Sequence, residues 1–214
     1  MDLSEKFKNL LKSNYIFHLH TTYTDGVSSV EDYCIWASRN KYDTIVFTEH
    51  VRKKLSYDFY SFLSDIENAR RMFPDLSIWV GVEAKLLPGG NLDIPDHILS
   101  EIQIICFACH SFTQDIDLYE NSLKRLFSGS RWKDRIRVWV HPGSFLKCLG
   151  PIDDYLHLLD RLITFARREG VFIEYNLRHE LPPVSIIKNI RQSQMIKGLD
   201  AHSVQSVEKL LGLA

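Results

Sequence analysis

A chain of 214 residues that is 45% hydrophobic and 25% charged holds enough apolar material for one full core, with the charge content of an ordinary globular protein. Its net charge of −1 supplies no bulk field for nucleic acid or anionic lipid, although a local basic patch stays open. No apolar run approaches the roughly 20 residues that a membrane span requires, and Met1 to Lys6 lacks the basic and apolar regions of a secretory leader. The expected compartment is therefore the cytoplasm, and the expected organisation a single domain over 1–214.

Taken in order, apolar residues at helical spacing predict a first helix over Leu3 to Leu11, and a first strand follows at Tyr15 to His20. Within Phe17-His18-Leu19-His20, strand alternation turns both imidazoles to one face and Phe17 and Leu19 to the other. Ser28 with Glu31 spells a capping box that opens a helix to about Arg39. Thr44 to Phe47 reads as the second strand, running straight into Thr48-Glu49-His50, and a helix spans about Tyr57 to Met72. The third strand is Ser77 to Val82, ending at Glu83; a turn at Pro88-Gly89-Gly90-Asn91 and a short helix near Pro95 to Leu99 follow.

The fourth strand, Ile102 to Cys109, ends at His110, and a helix from about Gln114 to Phe127 leads to the fifth, Arg137 to Val140, which ends at His141-Pro142-Gly143. An amphipathic helix is expected over Asp153 to Arg168, closed by Gly170 at C′. The sixth strand is Val171 to Asn176, and a helix near Pro183 to Gln192 precedes the seventh, Met195 to Leu199. That strand ends at Asp200-Ala201-His202, with Ser203 as N-cap of the last helix. The four cysteines form no disulfide framework. Cys106 and Cys109 match a C-x-x-C spelling, but on a buried strand residues three apart face opposite sides and the thiols diverge.

Seven strand-then-helix units in alternation call for a parallel sheet, either an open doubly wound one or a closed barrel. No glycine-rich phosphate fingerprint follows the first strand, which weakens the nucleotide-binding open sheet. Six of the nine histidines (His18, His20, His50, His110, His141 and His202) stand at or just beyond a strand's C-terminal end. Glu83, Asp25 and Asp200 are placed in the same way. In a parallel barrel those ends converge. Nine donors are too many for one ion, and imidazole mixed with carboxylate suits two or three divalent ions of zinc, manganese or iron.

The series His18-x-His20, Asp25-Gly26, Thr48-Glu49-His50, Glu83, His110-Ser111, His141-Pro142 and Asp200-Ala201-His202 resembles the polymerase and histidinol phosphatase (PHP) superfamily. The wording from Asn91 to Phe112 is similar both to stand-alone PHP phosphatases and to the PHP domain fused to bacterial family X DNA polymerases. Glu49 stands where that family usually has Asp, at a position that is not normally a ligand.

The resemblance implies a distorted seven-stranded (β/α) barrel, TIM-like, with a trinuclear site at the C-terminal strand ends. It implies that His18, His20 and Asp200 hold a first ion, that Glu83 bridges to a second completed by His110 and His141, and that Asp25, His50 and His202 hold a third. Asp200, Glu83 and His202 would act in catalysis through the metals and a bridging water. Lys85, Arg52, Arg178 and His179 are candidates for substrate phosphate. The expected activity is phosphatase action on a small phosphomonoester. A 3′-5′ exonuclease or 3′-phosphatase on DNA ends, and a non-catalytic metal-stabilised module that binds a partner, are the alternatives. Nucleic acid is possible but not favoured by the neutral charge, no membrane partner is expected, and the sequence does not speak to oligomeric state.

Overall fold

Ile45, Val46 and Phe47 point alternately to opposite sides of a strand, yet all three are fully buried. A strand covered on both faces needs this, and it recurs around the molecule. The computed structural model describes residues 3–109 and 111–213. Its strands are β1 (Tyr15–Leu19), β2 (Thr44–Val51), β3 (Ser77–Leu87), β4 (Asn91–Leu92), β5 (Ile104–Ala108), β6 (Ile136–Trp139), β7 (Phe172–Asn176) and β8 (Met195–Gly198). The helices are α1 (Leu3–Leu10), α2 (Val30–Arg39), α3 (Phe59–Met72), α4 (Ile116–Ser128), α5 (Ser144–Leu149), α6 (Leu156–Arg168), α7 (Val184–Ile187) and α8 (Val204–Leu211).

Parallel pairing runs β1-β2-β3-β5-β6-β7-β8, in chain order. The ends then meet: Leu19 bridges Ala201 in parallel, with His20 N donating to Ala201 O at 2.9 Å and Ala201 N to His18 O at 3.0 Å. The sheet is thus a nearly closed seven-stranded barrel rather than an open doubly wound sheet. The short β4 stands outside it, paired antiparallel to the end of β3. No helix among the described residues is long and apolar enough to cross a membrane.

Two apolar layers hold this arrangement. Between strands and helices lies the larger one, which includes Ile16, Leu19, Ile45, Phe47, Val82 and Phe107. Inside the barrel lies a smaller one of Phe17, Val46, Ile104, Cys106, Val138 and Ile196, with Phe7 and Leu10 of α1 packed against it. Phe7 meets Phe172 edge-on at 4.8 Å between ring centroids, so α1 plugs the end where strands begin. Cys106 belongs to the inner layer and Cys109 to the outer, both free, so the two thiols diverge as strand geometry requires. Climbing each strand, the inward positions turn from apolar to ionisable: Val46 to His50 on β2, Phe172 to Glu174 on β7, Ile196 to Asp200 at β8. The lower half of the barrel is therefore core, and the upper half is a polar chamber.

Several elements depart from the expected bounds. Ser29, not Ser28, caps α2, and Asp32, not Glu31, completes its capping box. Ser28 Oγ instead accepts from Val204 N at 3.1 Å and so ties the start of α2 to that of α8. β2 and β3 outrun their apolar segments because they pair with each other without interruption as far as Val51 and Ala84. The Pro88–Asn91 turn becomes a hairpin, with Gly89 and Gly90 both at a φ of 83°, a left-handed conformation that favours glycine. The expected Asp153 to Arg168 helix starts as a 3₁₀ turn, Ile152–Tyr155, and only then becomes α6. Of the Pro183 to Gln192 segment only α7 is α-helical. An unexpected helix, α5, follows Gly143, whose φ of 100° turns the chain sharply enough to bury Phe145 and Leu146.

Candidate metal centre

His18 and His20 do face the same chamber, but simple alternation is not the reason. Pairing between β1 and β2 slips between Phe17 and Leu19, and His18 stands at the bulge with a φ of 72°. Phe17 consequently points into the barrel interior while Leu19 packs outside, so the two apolar residues expected on one face lie on opposite ones. The bulge turns His18 inward directly above Phe17. His141 (φ 31°) and Asp200 (φ 52°) also occupy the left-handed region. Three of the five non-glycine residues with positive φ among the described residues are thus candidate ligands, as is common where a site stores backbone strain.

Glu83 is the hub. Its Oε1 lies 3.0 Å from His141 Nε2, and its Oε2 lies 3.0 Å from His50 Nδ1 and 3.4 Å from both His18 Nε2 and His20 Nε2. Asp200 Oδ1 stands 3.7 Å from His20 Nε2 and 4.0 Å from His18 Nε2. Nearer solvent, Asp25 Oδ2 sits 3.4 Å from His50 Nε2 and 3.3 Å from His202 Nε2. These donors fall into three overlapping groups: His18, His20 and Glu83; His18, His141 and Asp200; and His20, Asp25, His50 and His202. The structure therefore brings together eight of the nine residues expected as ligands. The ninth, His110, lies outside the described residues.

The donor set fits divalent cations. Both ring nitrogens of His20 are buried with no hydrogen-bond partner among the described residues, an arrangement that costs free energy unless something accepts the lone pair. Separations near 3.4 Å between nitrogen and oxygen are what bonds of about 2.1 Å at tetrahedral angles produce. The charges are polarised to match. Burial alone pushes the Glu83 carboxyl up, but hydrogen bonds from His141, His18 and His50 hold it well below the usual carboxylate range. Asp200 is held down likewise against its burial, by His18 and by a hydrogen bond from His179. Burial and the neighbouring His18 push His20 well below its ordinary value, leaving a neutral imidazole. For His18, burial is outweighed by the Glu174 and Asp200 carboxylates, which raise it.

Of the residues expected to meet phosphate, Arg178 and His179 reach the centre. Arg178 Nη1 donates to His202 Nδ1 at 2.9 Å and to Asp200 Oδ1 at 3.3 Å, and His179 Nε2 lies 3.0 Å from Asp200 Oδ2. Lys85 Nζ donates to Ser111 Oγ at 2.7 Å. Arg52 follows His50 on β2 by two positions, and its guanidinium donates to the Val51 carbonyl at 2.6 Å.

Two buried carboxylates carry roles that the sequence left unassigned. Glu174 accepts from His18 Nδ1 at 2.6 Å, from the backbone N of His141 at 2.6 Å and from Asn176 Nδ2 at 2.9 Å. The available signal was an acid at an inward position of an otherwise apolar strand. Glu49 accepts from Thr21 N at 2.7 Å and from the Thr24 hydroxyl, and so clamps the loop that presents Asp25. That loop is tight: a Cβ at Gly26 would stand 2.2 Å from the His20 carbonyl oxygen, which explains glycine after Asp25. Glu49→Ala leaves the buried Thr21 N–H without its acceptor and is expected to cost about 1–3 kcal/mol. Denaturant unfolding measures the loss, and hydrogen exchange should quicken over 21–26; unchanged exchange there would refute the clamp.

Residues 17–178 match the family model described as PHP domain. Among curated proteins, the DNA polymerase/3′-5′ exonuclease PolX of Bacillus subtilis (strain 168) is 24% identical in an alignment 204 residues long that covers 90% of this chain and 35% of that protein. The chain thus spans about a third of the relative's length. Among solved structures, the histidinol phosphate phosphatase of Lactococcus lactis subsp. lactis Il1403, complexed with zinc, L-histidinol and phosphate, superposes with a TM-score of 0.63. The superposition covers 94% of this chain and 93% of that one at 12% identity, a likeness of fold.

Proposed function

Because the chain belongs to the PHP domain family, we propose that it is a metal-dependent phosphoesterase, in the first place a phosphatase of small phosphomonoesters. The observation that carries this reading is the convergence of four imidazoles on the two oxygens of Glu83, with Asp200 alongside. In this reading His18, His20 and Asp200 would hold one cation, Glu83, His141 and His110 a second, and Asp25, His50 and His202 a third. Zinc, manganese and iron suit the mixed imidazole and carboxylate donors better than magnesium or calcium. When bound, such ions acidify water and neutralise phosphoryl charge.

The chain's own groups do the rest. Glu83 and Asp200, kept low in pKa by the histidines around them, stay ionised at neutral pH and retain their ligand oxygens. Arg178 can turn its guanidinium from Asp200 and His202 toward phosphoryl oxygens, for which its planar fork is suited, and His179 stands beside it. Lys85 and Arg52 would add positive charge at the rim.

A second reading, hydrolysis at DNA 3′ ends, draws on the similarity to a protein named as a DNA polymerase and 3′-5′ exonuclease. Elemental analysis of the purified protein, beside Asp200→Ala and a generic phosphomonoester assay with added manganese, tests the enzyme reading. Two or three equivalents of metal are expected, with hydrolysis lost in the variant. Metal near zero after reconstitution, with no hydrolysis, would sink it. Running 3′-phosphorylated and 3′-hydroxyl oligonucleotides in the same assay separates the two readings.

A further inference from the structure

Glu174 lies in the chamber wall, fully buried, without being one of the donors grouped for a metal. Among the described residues, three groups meet its two oxygens as N–H donors: the His18 ring, the His141 backbone and the Asn176 amide. Space for the carboxyl group is reserved by the neighbouring strand β8, since a Cβ at Gly198 would stand 1.7 Å from Glu174 Oε1. A carboxylate facing His18 Nδ1 can only accept, so that nitrogen carries a proton, and with a cation bound it is Nε2 that would offer the lone pair. Nε2 is the atom that looks at Glu83 and Asp200.

We propose that Glu174 is a positioning residue for the metal centre. It locks His18 in the Nδ1–H tautomer with Nε2 presented to the cation, and it holds the strained backbone of His141 beside it. The inference rests on the metal-dependent reading of the site. It reaches across 156 residues of sequence to join β7 to β1, and through His141 it ties in the end of β6. His18 and His141 both carry positive φ, and one carboxylate restrains the two. Carboxylates that accept from the far nitrogen of a ligating histidine typically contribute 10–100-fold to metal affinity.

The test measures Zn²⁺ and Mn²⁺ affinity of wild type and Glu174→Gln by competition with a fluorescent chelator, with circular dichroism and thermal unfolding of the metal-stripped proteins alongside. Glutamine keeps the shape but brings an NH₂ toward one of the three donors. Roughly 10–100-fold weaker binding in a folded variant is expected. Equal affinity, or a loss of thermal stability with affinity unchanged, would overturn the proposal and leave the phosphoesterase reading standing. Absence of metal binding in the wild type would overturn both. Nitrogen-15 NMR of the zinc-loaded wild type decides independently should the variant fail to fold. Protonated Nδ1 and metal-shifted Nε2 are expected at His18, and zinc on Nδ1 would refute the assignment.

Discussion

Glu83→Gln is expected to abolish hydrolysis and strip the centre of most of its metal while leaving the barrel folded. The side chain keeps its volume, so packing against Cys106 and His50, its register partners on β5 and β2, is preserved. What changes is that one of two acceptor oxygens becomes an NH₂ group, a donor that cannot face a cation or the N–H of a histidine. Charge stabilisation by metal ions in such reactions is worth several kcal/mol. A loss of 10³-fold or more in kcat/KM, about 4 kcal/mol, follows. Metal content by elemental analysis and kcat/KM on a generic phosphomonoester are the readouts. Retention of both within a factor of three would mean that Glu83 is a structural acid and that the hub has been misread.

The second large effect lies at the opposite end of the barrel. Phe7 is fully buried, in edge contact with Phe172 at 4.8 Å and with Trp79 at 6.4 Å, and it closes the inner apolar layer from below. Truncation to alanine opens a cavity where strand starts converge and the rigid sheet cannot collapse to fill it. A loss of about 3–5 kcal/mol is expected. At roughly 2–4 °C per kcal/mol for a chain of this size, the melting temperature should fall on the order of 10 °C. Calorimetry of the metal-stripped proteins is the check. A loss under about 1 kcal/mol would show that α1 merely covers the barrel instead of completing its core.

The two substitutions probe a division of labour along one axis. The inner layer from Phe7 to Val138 and Ile196 is dry and supplies cohesion. Above it the chamber stacks ionisable groups whose burial would cost stability but for their mutual pairing, with both Glu83 and Asp200 drawn far from their ordinary values. Backbone strain at His18, His141 and Asp200 belongs to the same upper half. A rigid lower half holds the strained, charged upper half in place.

The alternation of apolar strands with helical segments was legible in the residues, and so was the placement of ionisable residues at the C-terminal ends of six of the seven strands. Both are local patterns: a buried parallel strand needs apolar residues on both faces, and the first polar position after it leaves the core. From these the parallel order and the convergence of His18, His50, Glu83, His141, Asp200 and His202 follow for any barrel. Three features were decided only in the folded molecule. Closure depends on hydrogen bonds between His18, His20 and Ala201, whose partners lie at opposite ends of the chain. The bulge that sends Phe17 and His18 to the same side depends on how β1 pairs with β2, and no alternation within Phe17 to His20 encodes a positive φ. Glu174 carries no assignment from the sequence, and Glu49 only its likeness to a family position that is not normally a ligand. What they hold, His18 and His141 in one case and Thr21 and Thr24 in the other, is set by the register of strands that meet only in three dimensions. Sequence periodicity determines which face a side chain takes; only the closed sheet determines what stands opposite it.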